Sequence, residues 1–107
     1  MLNTIALIGR LTKDPELKQA NGKDMCNFTI AVNRSFKNAQ GETDADFIQC
    51  SAFGTPATFL TSYLKKGSQV SVLGELRTRT YPHPQHADVT VFHSEVNVNK
   101  IDGLDPK

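Results

Sequence analysis

Arg77, Arg79 and Tyr81 stand two residues apart in the segment Gly74-Glu75-Leu76-Arg77-Thr78-Arg79-Thr80-Tyr81. A β-strand sends alternate side chains to opposite faces. Arg77, Arg79 and Tyr81 then share one face, and Val70, Val72 and Leu76 share the other. One side is an apolar wall; the other is a row of two cations ending in an aromatic ring. A core gains nothing from that row. An extended anionic ligand with flat rings can use it, because guanidinium groups meet phosphates and aromatic rings meet bases. A second aromatic face lies upstream. Phe47 and Phe53 are six residues apart, with Gln49 and Ser51 between them on the same strand face, which is therefore polar rather than core-like.

The candidate phosphate partners are Arg10, Lys13, Arg34, Lys37, Lys65, Lys66, Arg77 and Arg79. Most surface cations are merely solvated. Arg77 and Arg79 stand out because they share a face with Tyr81, and Arg34 and Lys37 because they flank Phe36. The formal net charge is only +1, so a nucleic-acid site must come from the placement of charge rather than its total.

Other chemistry fits the chain poorly. His83 and His86 sit in a Pro-rich loop without the further ligands a metal site needs. Glu42, Asp44 and Asp46 cluster near a polar hairpin, not across a pocket where catalytic carboxylates work. Ser51, Ser62 and Ser68 have no nucleophile-elbow setting, and there is no glycine-rich phosphate loop. Neither an enzyme nor a cofactor or metal is expected. Cys26 and Cys50 fall in predicted strands without CxxC spacing and read as buried free thiols in a reducing cytoplasm, with a disulfide or metal pair as the alternative. No secretory leader is expected from Met1-Leu2-Asn3, and no apolar run has the length of a membrane span.

Five strands and one short helix must position these groups. The first strand is expected over about residues 3–11, where Gly9 marks a bulge or a close backbone approach. Asp14-Pro15 and Asn21-Gly22 read as turns. The second strand covers about 24–34, with Phe28, Ile30 and Val32 on its buried side. Residues 37–42 read as a hairpin loop, and the third strand covers about 46–53. The period then becomes helical over about 56–66. Thr55 is the expected cap, Pro56 the first helical residue, and Phe59, Leu60, Tyr63 and Leu64 the apolar face. Lys65 and Lys66 fall in the expected last turn, where the helix dipole favours cations, and Gly67 at the left-handed stop. The fourth strand covers about 69–81, a loop with two prolines about 81–86, and the fifth strand about 89–98. Phe28, Phe59 and Phe92 read as core; Phe92 shares a face with Val96 and Val98. Three strands, a short helix and two strands is the element order of an OB-fold, an all-β, five-stranded Greek-key barrel. One such domain over 1–101, with a short end at 102–107, accounts for the whole chain.

Ile8-Gly9-Arg10-Leu11 followed by Asp14-Pro15-Glu16 resembles the start of bacterial and phage single-stranded DNA-binding proteins. Ala31-Val32-Asn33-Arg34, Ala45-Asp46-Phe47-Ile48, Tyr63-Leu64-Lys65-Lys66-Gly67-Ser68 and Gly74-Glu75-Leu76-Arg77-Thr78-Arg79 follow in matching order and spacing, so the resemblance covers about residues 3–101. It implies an OB-fold subunit, usually in a homotetramer with a dimer as the alternative, that coats single-stranded DNA during replication, recombination and repair. It also implies four base-stacking positions, filled here by Phe36, Phe47, Phe53 and Tyr81. The best-known members have tryptophan at three of them; this chain has no tryptophan, so weaker stacking per base is expected. Members commonly continue through a linker to an acidic tip that recruits replication and recombination proteins. The sequence ends Ile101-Asp102-Gly103-Leu104-Asp105-Pro106-Lys107, and recruitment through such a tip is not expected of it. Two other readings remain open: a protein-interaction OB module of the primosomal accessory type, and a single-stranded RNA or cold-shock-type binder.

Overall fold

A computed structural model describes residues 1–105; Pro106 and Lys107, the last of the expected C-terminal end, lie outside the described residues. Its elements are β1 (Ile5–Leu11), β2 (Lys18–Ala20), β3 (Lys23–Lys37), β4 (Thr43–Phe53), α1 (Thr55–Tyr63), β5 (Gln69–Pro82) and β6 (Thr90–Gly103). The strands hydrogen-bond in the order β1-β5-β6-β4-β3-β2, and β1 also pairs with β3. That extra pairing closes the ladder on itself, which is the OB-type arrangement expected from the element order. β1 makes the closure. It runs antiparallel to β5 from Ile5↔Gly74 to Arg10↔Gln69, then turns onto β3 at Arg10↔Ala31 and Leu11↔Ile30. Gly9 sits at this crossing, where a Cβ would lie 2.6 Å from the Ala31 carbonyl oxygen. The expected close backbone approach is therefore present.

The predicted alternation organises the core. Cys26, Phe28 and Ile30 of β3 face Cys50 and Ala52 of β4, with Val70 and Val72 of β5, Val96, Val98 and Ile101 of β6, and Leu11 of β1 completing the interior. Both cysteines are free and buried. Burial raises the Cys26 thiol pKa and pushes that of Cys50 up to about 12, so both stay protonated and unreactive. α1 covers one end of this interior with Ala57 and Leu60, while Phe59 and Leu64 pack at its margin.

Several local expectations change. The described residues form six strands, because β2 forms a hairpin with β3 through Asn21-Gly22, whose φ angles of 52° and 79° fit a type I′ turn. Three residues without alternation gave no strand signal. β1 starts at Ile5, β3 runs on to Lys37, and β6 runs from Thr90 to Gly103, past the expected domain end at 101. Gly54, not Thr55, caps α1, and no side chain assists it. The helix ends at Tyr63, which is exposed, so Lys65 and Lys66 are not in its last turn. They lie in a turn closed by Ser68 N–H donating to the Lys65 carbonyl. Tyr81 and Pro82 still pair with β6, and the loop is 83–89. Pro82 is tolerated because it is the last residue of its strand.

Beyond the barrel, two hairpins project as two-stranded arms. On the first, every β3 residue from Asn33 to Lys37 is exposed. On the second, every β5 residue from Leu76 to Pro82 is exposed. This corrects two readings. Leu76 belongs to no buried wall, and Phe92 is not core: it pairs with Thr80 on the second arm, where no interior remains to receive it.

Candidate nucleic-acid interface

The antiparallel β3–β4 ladder sets Met25, Asn27, Thr29 and Ala31 opposite Phe53, Ser51, Gln49 and Phe47. Directly opposed residues share a face, so Phe47 and Phe53 stand on one outward surface, as their spacing predicts. Phe36 is on the first arm, where a register shift between Asn33 and Lys37 interrupts the ladder. Tyr81 is on the second. Their exposures are 74 % for Phe36, 70 % for Phe47, 44 % for Phe53 and 41 % for Tyr81. All four rings therefore present apolar surface to solvent. Ser51 departs from the expected exposed face. It is buried, its hydroxyl 2.8 Å from Asn27 Oδ1 and 2.9 Å from Glu95 Oε2.

A cleft of about 490 Å³ opens between this surface, the loop after β1 and the base of the second arm. Lys13, Lys18, Arg79 and His93 line it, with Asp14, Glu16 and Glu95 as the acidic members and Asn27, Thr29 and Gln49 as neutral ones. Its cations and carboxylates nearly balance. Affinity for a polyanion must then draw on stacking and on rim cations as well as on the cleft itself.

The eight predicted phosphate partners divide by what already holds them. Arg34 grips Asp46, with its terminal nitrogen 2.8 Å from Oδ1 and Nε 3.3 Å from both carboxylate oxygens. This hydrogen bonding holds the Asp46 carboxyl below the usual carboxylate range and raises Arg34 above its own. Arg77 pairs with Glu75 at 3.1 Å. Arg10 donates to the Gly67 carbonyl at 2.9 Å and lies 3.8 Å from Asp105. Lys13, Lys37, Lys65, Lys66 and Arg79 have no carboxylate within salt-bridge distance among the described residues. Lys66 N–H donates to Asp14 Oδ1 at 2.7 Å, which ties the turn carrying both lysines to the loop lining the cleft. Lys37 is apart from that group, at the far end of the first arm.

Arg79 combines the two chemistries. Its guanidinium carbon lies 5.9 Å from the centroid of the Tyr81 ring, within cation–π range, and its side chain lines the cleft. Arg79 pairs across the arm with His93, and Tyr81 with Val91. The face read from sequence therefore exists, but Glu75 and Glu95 share it at the barrel end. Lys18, His93 and Phe92 were not among the predicted site residues. Lys18 and His93 gave no distinguishing signal. Phe92 shares the parity of the buried Val96 and Val98, so alternation alone reads it as core.

Residues 2–104 match the model of the single-strand binding protein family. The whole chain is 45 % identical over an alignment of 108 positions to a single-stranded DNA-binding protein of Halalkalibacterium halodurans, of which it covers 63 %. It is 46 % identical to single-stranded DNA-binding protein A of Bacillus subtilis, covering 62 % of that protein. It is 47 % identical to single-stranded DNA-binding protein 2 of Staphylococcus aureus, covering 76 %. The chain thus spans somewhat under two thirds of the length of the first two relatives. The order of elements, the closed ladder, the paired arms and the match along nearly every residue agree, and the chain belongs to the single-strand binding protein family.

Proposed function

We propose that this chain binds and coats single-stranded DNA with little sequence preference during replication, recombination and repair. The observation that carries this reading is Arg79, which lines the cleft with its guanidinium over the Tyr81 ring, together with the exposed rings of Phe47 and Phe53 on β4 and Phe36 on the first arm. Unpaired bases lie on the rings, and Arg10, Lys13, Arg34, Lys37, Lys65, Lys66, Arg77 and Arg79 follow the backbone. Every base has a π-face, so stacking tolerates any sequence. The protein holds the strand without chemistry or cofactor and works in the cytoplasm of a bacterium or of a phage-infected host, as a homotetramer or, alternatively, a homodimer. No helix among the described residues is long and apolar enough to cross a membrane.

Fluorescence anisotropy with labelled poly-dT at several salt concentrations tests this. Affinity falls with salt by a log–log slope of about 0.7 per phosphate neutralised. Phe53→Ala costs about 1–3 kcal/mol and leaves the slope in place. Arg79→Ala lowers the slope by about 0.7. Duplex DNA that competes as well as single-stranded DNA would sink the proposal, and equal affinity for a matched RNA strand would remove its restriction to DNA.

A further inference from the structure

β4 and β6 run parallel and pair only where Cys50–Ala52 meets Val96–Val98. On the N-terminal side of that pairing they part, and a split of about 440 Å³ opens between residues 47–49 of β4 and 92–95 of β6. Phe47 stands on one lip and Phe92 on the other, over an apolar lining of Ile5, Leu76 and Val96. Phe92 is the most exposed aromatic residue among those described, at 79 %. The core does not use it: its partner Thr80 is itself exposed, and the first buried residue of β6 is Val96.

The shape of the split selects its occupant. The facing strand edges carry backbone donors and acceptors that no strand pairing among the described residues satisfies, while the lips are aromatic and Ile5, Leu76 and Val96 make the floor apolar. A flat group with two apolar faces and a hydrogen-bonding edge suits all three. The split is also continuous with the cleft that Arg79 lines, since Gln49, His93 and Glu95 line both. Arg79 and Phe92 stand on opposite faces of the second arm, so a strand whose backbone passes Arg79 enters the split around the open edge of β6. We propose that the split between β4 and β6 is a base-binding subsite, in which Phe92 stacks on one nucleobase of the bound strand opposite Phe47. This rests on the reading of the chain as a single-strand binder.

Phe92→Ala, Phe92→Trp and the unsubstituted chain are titrated with poly-dT, and the mass of each is measured by light scattering. Phe92→Ala weakens binding about 5- to 150-fold, with the salt slope and the mass unchanged. Phe92→Trp restores binding. Because the chain has no tryptophan of its own, that variant has a single indole emission, which poly-dT quenches. Tyr63→Trp on exposed helix surface is the control and stays unquenched. Unaltered affinity in Phe92→Ala overturns the proposal, as does an unquenched Phe92→Trp. A loss of affinity that accompanies a loss of mass also overturns it, because the split then seats a second copy of the chain. If the unsubstituted chain fails to bind poly-dT, the parent reading falls and the subsite falls with it.

Discussion

A guanidinium that already holds a carboxylate must exchange that partner before it meets a phosphate, and the three arginines Arg10, Arg34 and Arg77 are in that position. The exchange is cheap where the pair is exposed, because surface ion pairs are worth about 0–1 kcal/mol. Arg34 is the sharpest case, since Asp46 is its partner and sits next to Phe47 in the chain. Asp46→Asn removes the competing charge without removing the arginine. The expected result is tighter poly-dT binding and a log–log salt slope steeper by about 0.7, if Arg34 then neutralises one more phosphate. The melting temperature should hardly move, because both partners are largely solvated. An unchanged slope would take Arg34 off the path of the strand. Arg79 needs no such release. It has no carboxylate partner among the described residues and its guanidinium lies over the Tyr81 ring, so its contribution should survive conditions that leave Arg34 occupied.

At the level of elements, barrel closure depends on two strands approaching at Gly9. An added methyl there meets the Ala31 backbone at 2.6 Å, and neither strand can yield without loosening the β1–β3 ladder. Gly9→Ala should therefore destabilise the fold by about 1–3 kcal/mol, the usual cost of overpacking. Thermal unfolding followed by circular dichroism would show it as a melting temperature lower by several degrees, and an unshifted melt would mean that closure tolerates a wider gap. Gly9 was legible in the sequence because a glycine inside an alternating run has few other reasons to be there. The inward rows were legible for a similar reason: Phe28, Ile30 and Val32 can share only one face. What alternation does not reveal is where an interior ends. Phe92 keeps the parity of Val96 and Val98 and still lies outside, because the strand outlasts the barrel. Helix boundaries depend on cap geometry, and Gly54 with φ of 68° took the role that Thr55 fits by type. Side-chain pairing is the third hidden layer. Nothing in the order of residues says that Arg34 meets Asp46 while Arg79 has no carboxylate partner among the described residues.

For the molecule as a whole, the barrel leaves one surface that the DNA reading does not use. Ile8 and Leu73 are exposed on the outer side of β1 and β5, and Ala6 pairs directly with Leu73 between those strands. β1 also has a second edge, paired with β3 only at Arg10 and Leu11, so Ile5 to Gly9 present unmatched backbone groups along it. An open edge beside an apolar face invites another strand. Under the homo-oligomer proposal, a second copy covers both at once. Ile8→Glu places a charge on that face without touching the core. The expected outcome is a mass by light scattering close to the 11.8 kDa of one chain, with the barrel still folded by circular dichroism. Binding to long poly-dT should then fall more than binding to a short oligonucleotide, because linked sites gain from one another only when a strand can span them. An assembly that keeps its mass after Ile8→Glu would place the contact elsewhere. An equal loss for long and short strands would mean that each subunit holds its DNA alone.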